Sequence, residues 1–186
     1  MTPAVEDVAV TDPKGEARIE RLSNIRRKIG KHMTASLATA AHTVMAMEID
    51  YGGALAAREK AKRAGRSISY LPFIASAVAR AIVAFPHVNA SIVGDDLHVF
   101  PRVNLGIAVD LDFQGLIVPV VRGVEEKSLA DVATEIEDLA ARARRRSLNP
   151  DEVAHGTFTI TNAGGYGTLF TAAIINQPQV AILSTD

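Results

Sequence analysis

The stretch Gly156–Gly167, sequence GTFTITNAGGYG, most constrains what this chain can fold into. Thr157, Phe158, Thr159, Ile160 and Thr161 are all β-branched or aromatic, which predicts a strand. A period of two puts the hydroxyls of Thr157, Thr159 and Thr161 on one face. From Asn162 onward the chain cannot stay extended, because Gly164, Gly165 and Gly167 permit backbone angles that other residues resist. The pattern by itself favours a structural strand and turn. It also suits a site: a hydroxyl at the end of a rigid strand, followed by a tight glycine turn, lets a charged intermediate or an extended cofactor approach closely.

Around this stretch the chain alternates helical and strand patterns. Residues 1–18, with Pro3, Pro13 and several acids, read as a flexible linker end, and 19–186 as the folded domain. Disorder is the expectation for 1–18, with packing onto a neighbouring subunit as the alternative. Leu22, Ile25, Ile29, Met33 and Leu37 predict a helix over 22–39, capped by Ser23. Arg26 and Arg27 lie early in that helix, where the macrodipole disfavours cations, so a partner is expected: an acidic side chain, or a ligand carboxylate or phosphate. His42–Asp50 reads as a strand opened by a structural histidine, and Ala54–Ala64 as a short helix. Leu71, Ile74, Val78, Ala81 and Ile82 predict a buried helix over 68–85, with Pro72 in its first turn and Pro86 at its stop.

Two hairpins follow: Asn89–Val93 with Leu97–Phe100, and Leu105–Leu111 with Leu116–Val121. The second is apolar nearly throughout, which predicts strands central in a covered sheet, with an edge or bulge at Pro119. Ser128–Arg146 is the clearest helix. It has a capping Ser128/Asp131 pair, acids first and arginines last, as the macrodipole prefers. A last apolar strand is expected at Pro178–Ser184.

Composition excludes several classes of function. A formal net charge of −1 supplies no basic field for nucleic acid or an anionic membrane. No apolar run reaches the roughly 18 residues of a membrane span. Without cysteine there is no disulfide, thiolate metal site or cysteine nucleophile, which fits a cytoplasmic location. His32, His42, His87, His98 and His155 show no metal-ligand spacing, and no metal is expected. Nucleophile-elbow, P-loop and dinucleotide fingerprints are absent from the sequence. Residue pattern alone stops at an α/β domain of 48% hydrophobic residues, enough for a sizeable core.

Several blocks, in order, carry a resemblance. They are Leu22-Ser23 with Arg26-Arg27, Ile29, Met33 and Ser36; His42-Thr43 through Glu48 and Asp50; Ser69-Tyr70-Leu71-Pro72-Phe73; and Asn89-Ala90-Ser91. Asn104–Val109, Gly115–Val120, Gly156–Asn162 and Ile174–Leu183 complete the set. The sequence resembles the catalytic domain of the dihydrolipoamide acyltransferases, the core components of 2-oxo-acid dehydrogenase complexes. That resemblance implies an α/β (α+β) fold like chloramphenicol acetyltransferase, a mixed β-sheet flanked by helices. It implies a homotrimer built into a larger core, served by lipoyl domains and by dehydrogenase and dihydrolipoamide dehydrogenase components. Coenzyme A enters as substrate, and the lipoyl group rides on a separate domain. Thr161 matches the hydroxyl that hydrogen-bonds the oxyanion of the tetrahedral intermediate. Asn162, Gly164, Gly165, Gly167, Phe170 and Asn176 fall where the family lines its substrate and coenzyme A channel.

Two departures stand out. Ala172-Ala173 replaces the family's usual Thr-Pro. The family's general base lies in a His-x-x-x-Asp-Gly motif after the Ala181-Ile182-Leu183 strand, and no histidine in these 186 residues begins that pattern. The expectation is a catalytic domain whose C-terminal part lies outside the sequence, poorly active by itself. A non-catalytic scaffold of the same fold and a small-molecule acetyltransferase are the alternatives.

Overall fold

The computed structural model describes residues 9–12, 15–18 and 20–186. Part of the expected linker end is a hairpin: β1 (Ala9–Asp12) pairs antiparallel with β2 (Gly15–Arg18). The rest of 1–18 lies outside the described residues.

The helices follow their sequence signals. In α1 (Asn24–Thr39) the Arg26 N–H donates to the Ser23 hydroxyl at 3.3 Å, the expected N-cap. Next come α2 (Gly52–Arg63) and α3 (Leu71–Ala84), the latter with Pro72 in its first turn, where no helical N–H is lost. In α4 (Leu129–Arg144) Ser128 accepts from the Asp131 N–H at 3.2 Å and donates to its carboxylate at 2.6 Å.

The strands depart from expectation in three places. β3 (Ala90–Val93) and β4 (Asp96–Val99) form the predicted first hairpin. The second is interrupted. β5 (Leu105–Ile107) and β6 (Val109–Asp110) make one arm, β7 (Leu116–Ile117) and β8 (Val120–Val121) the other. β6 and β7 form a two-stranded ladder of their own, whereas β5 pairs with β8. Pro119 cannot donate to a ladder, and its carbonyl instead accepts from the Ile107 N–H at 2.8 Å. Only β5 of these four strands is central, so the expectation of fully covered strands holds for one of them. The third departure is His42–Asp50, which forms no strand. Val44, Met45, Met47 and Ile49 are exposed, Met45 at 88%. Local β-propensity extends this segment, but a strand also needs a ladder partner, and among the described residues it has none.

The main sheet has the order β10-β9-β5-β8, with β9 (Phe158–Asn162) parallel to both β5 and β10 (Ile182–Thr185), and β5 antiparallel to β8. It is a mixed sheet flanked by helices, as the resemblance implied. One face carries Leu105, Ile107, Val121, Phe158 and Ile160, packed under Ala75, Ala79 and Ile82 of α3 and Val132, Ile136 and Leu139 of α4. This apolar layer is the core. On the other face Gly106 stands in register between Thr159 and Val120. That second face holds the candidate site.

Candidate functional site

β9 and the residue before it carry three threonines, Thr157, Thr159 and Thr161, and the structure gives each hydroxyl a different environment. Thr157 is buried. Its hydroxyl accepts from the Asn104 N–H at 3.0 Å and lies 3.3 Å from the Asn104 carbonyl, closing the start of the strand. Thr159, 2% exposed, donates to Gln179 Oε1 at 2.6 Å and accepts from Asn176 Nδ2 at 3.3 Å. Gln179 in turn donates to the Gly156 carbonyl at 3.0 Å, and Asn176 Oδ1 lies 3.1 Å from His32 Nε2 on α1. Thr161 is half-buried, where β9 emerges from the interior. Among the described residues its hydroxyl donates no hydrogen bond, and its carbonyl lies 3.5 Å from the Thr185 hydroxyl. Two of the three hydroxyls are therefore committed to the fold, and the third is available at the surface.

The turn after Thr161 is built from local hydrogen bonds. Asn162 Oδ1 accepts from the Gly164 N–H at 3.0 Å, and the Ala163 N–H donates to the Thr185 carbonyl at 3.1 Å. A side chain at Gly164 would stand 2.9 Å from the Asp186 carbonyl carbon, and Gly167 adopts a left-handed φ of 74°. Both positions thus need glycine. Gly165 faces open space. The loop then runs exposed through Leu169 and Phe170.

The structure brings Thr161, Asn162 and Gly164 together. It leaves Gly165, Gly167 and Phe170 on the outer loop. Asn176, expected in the channel lining, is committed one layer beneath Thr161, between Thr159 and His32.

The histidines are accounted for in structural terms. His42 Nδ1 faces the Ala40 carbonyl at 2.9 Å, and Nε2 accepts from the Ile175 N–H at 3.0 Å. These contacts assign a neutral ring protonated at Nδ1, with both nitrogens in use. His32 faces Asn176. Neither is placed as a free base beside Thr161. Arg26 donates to the backbone carbonyl of Phe113, and Arg27 to Asn24 Oδ1. Asp112 and Phe113 hold left-handed φ values of 53° and 59° at that hairpin tip. Among the described residues no cluster of His, Asp or Glu has the arrangement of a metal site.

Sequence reasoning missed the anchors of the glycine loop. Tyr166 packs edge-on against Phe113, with ring centroids 5.8 Å apart, and lies near the Asp110 charge. Partial desolvation and the Asp110 charge push its hydroxyl above the usual tyrosine range. Asp186 accepts from the hydroxyls of Thr168 and Thr171, which hold its carboxyl below the usual carboxylate range. No sequence signal marks either contact, since each joins residues from separate elements.

Comparison with known proteins bears on the family and the fold. Residues 14–186 match the family model of the 2-oxoacid dehydrogenases acyltransferase (catalytic domain). The dihydrolipoyllysine-residue acetyltransferase component of the pyruvate dehydrogenase complex of Mycobacterium tuberculosis is 39% identical over 173 residues, 89% of this chain and 31% of that protein. The succinyltransferase component of the 2-oxoglutarate dehydrogenase complex of Rickettsia bellii is 36% identical over 98% of this chain and 47% of its own length. The chain thus spans about a third to a half of these curated relatives. A probable dihydrolipoamide acetyltransferase from Listeria monocytogenes superimposes with a TM-score of 0.85 at 34% identity, covering 90% of this chain and 74% of that one. The cubic core of a pyruvate dehydrogenase multienzyme complex superimposes with a TM-score of 0.88 at 29% identity, covering 99% and 76%.

Proposed function

The chain belongs to the 2-oxoacid dehydrogenase acyltransferase family, as a catalytic domain, and we propose that it moves an acyl group between a dihydrolipoyl thiol and coenzyme A. The observation that carries this reading is Thr161, the one β9 hydroxyl left uncommitted, where β9 emerges from the interior. In the transfer, the thiol sulfur of one carrier attacks the thioester carbonyl of the other. Its proton passes to solvent water with the attack, and the carbonyl oxygen becomes an oxyanion. Thr161 donates to that oxygen. Collapse of the intermediate expels the second thiolate, which takes up a proton. Phe170 and the Asn162–Gly167 turn line the approach. Asn176 supports it from beneath through Thr159.

The general base is the part of this chemistry without a residue here. No histidine of the 186 residues carries the His-x-x-x-Asp-Gly pattern, and His32 and His42 have their hydrogen bonds elsewhere. A positioned base contributes about 10²–10⁴-fold, so slow turnover is expected from these residues by themselves.

We further read the chain as a homotrimer built into a larger cytoplasmic core, working with lipoyl domains and the two dehydrogenase components. The exposed apolar segment Val44–Ile49 supports burial against another subunit. The resemblance of the fold to a cubic core at TM-score 0.88 supports the larger assembly.

The test is Thr161→Ala, with Thr161→Ser as control, in the full-length protein. S-acyl-dihydrolipoamide formation is followed with acetyl-CoA and with succinyl-CoA. Losing a preorganised oxyanion donor removes roughly 3 kcal/mol, so kcat falls about 10²-fold, while Ser restores most of it. Unchanged turnover in the alanine variant overturns the role of Thr161.

A further inference from the structure

The glycine loop after Thr161 is held by a carboxylate from the neighbouring strand. In the parallel pairing of β9 with β10, Ser184 stands in register with Thr161, so the two side chains share a face. Asp186, two residues on, falls on the same face. Its Oδ1 accepts from the Thr168 hydroxyl at 2.6 Å and from the Thr171 hydroxyl at 2.7 Å, and its Oδ2 from Ser184 at 3.3 Å. Hydrogen bonds to an ionised carboxylate are shorter and stronger than neutral ones.

Little else holds this part of the loop. Among the described residues, 168–174 make no backbone–backbone hydrogen bond. Upstream, Tyr166 packs against Phe113, but that anchor lies before Gly167, whose left-handed φ redirects the chain. Between the two threonines held by Asp186 stand Leu169, 98% exposed, and Phe170. The carboxylate therefore brackets the loop tip at both ends and ties it to the strand that carries Ser184 beside Thr161.

The geometry points to Asp186 as a positioning residue that holds the Thr168–Thr171 loop tip against β10 and so sets the approach to Thr161, an assignment that rests on the acyl-transfer reading. Asp186 does not touch the reacting atoms. It acts through Thr168 and Thr171, which place Phe170 at the rim of the approach.

The experiment compares Asp186→Ala and Asp186→Asn in the full-length protein. The assays are steady-state kinetics with acetyl-CoA and dihydrolipoamide, and chymotryptic nicking at Leu169 and Phe170. With the carboxylate gone, nicking at this exposed tip accelerates. The KM for at least one thiol substrate rises about tenfold while kcat stays within about twofold, because positioning rather than chemistry is lost. Asp186→Asn, which keeps an acceptor oxygen, recovers part of both. Unchanged KM and unchanged nicking overturn the assignment. So does a fall of kcat and Tm with KM unchanged, which marks a merely structural residue. If nicking accelerates while the parent protein transfers no acyl group, the acyl-transfer reading fails and the loop anchor stands; a fully active Thr161→Ala overturns only the role of Thr161. If Thr161→Ala is crippled while Asp186→Ala is silent, the anchor alone fails.

Discussion

Gln179→Leu should destabilise the fold by about 2–4 kcal/mol, and the cost should shrink when Thr159→Val is added. Gln179 is 4% exposed and Thr159 2%, so neither side chain has water as a substitute partner. Leucine keeps most of the glutamine volume but strips the acceptor from the Thr159 hydroxyl, at 2.6 Å, and the donor from the Gly156 carbonyl, at 3.0 Å. A buried group left without its partner costs about 1–3 kcal/mol. The Gly156 end is only half-buried and lies at the low end of that range. Thr159→Val, nearly isosteric, strands Gln179 Oε1 and Asn176 Nδ2 and should cost about 2 kcal/mol. In the double variant the most deeply buried pair disappears together, leaving only the Gly156 carbonyl and the Asn176 amide, both nearer solvent. The double variant should therefore be about 1–2 kcal/mol more stable than the sum of the singles predicts, a coupling of the size seen for directly bonded neighbours. Urea unfolding at fixed protein concentration measures all three, with equal m-values confirming a common unfolded state. Additivity within about 0.5 kcal/mol would refute the reasoning, because it would mean that the two groups do not satisfy each other.

Two further predictions concern packing and acid stability. In Gly106→Ala the new Cβ would stand 2.7 Å from Val118 Cγ1 and 3.1 Å from Thr159 Oγ1. Urea unfolding should show a loss of about 1–3 kcal/mol, partly recovered by Val118→Ala, which vacates the first contact. Hydrogen bonds from Arg142, and then from the Asn149 N–H, hold the Glu152 carboxyl down at about 2. Because the folded value is depressed, this stabilisation is full above the ordinary value of 4.5 and lost as pH falls through about 2. Glu152→Gln should flatten the fall of the urea midpoint between those limits. An identical acid profile in both proteins would count against the pairing.

Local physics made much of the fold legible. Ser23 and Ser128 announced their helices because an N-cap is set by residues three apart. The apolar stripes of α3 and α4 pointed to the core because side chains at helical spacing share a face. The alternation in Thr157–Thr161 placed three hydroxyls on one face for the same kind of reason, and the family resemblance singled out the last of them. What stayed hidden depends on pairing between distant segments. His42–Asp50 has the composition of a strand but no ladder partner among the described residues. The arm 105–111 is divided between two ladders, β5 pairing with β8 and β6 with β7. Arg26 found a carbonyl at a left-handed hairpin tip, which no charge pattern foretells. His32 meets Asn176 across 144 residues of chain, and Asp186 meets Thr168 across 18. The sequence by itself determined which segments curl, which extend, and which face of β9 carries hydroxyls, since those follow from each residue and its near neighbours. Only the tertiary structure decided which hydroxyls are committed to the interior and which is left available, because a hydrogen bond between remote segments exists only after the chain has brought them together.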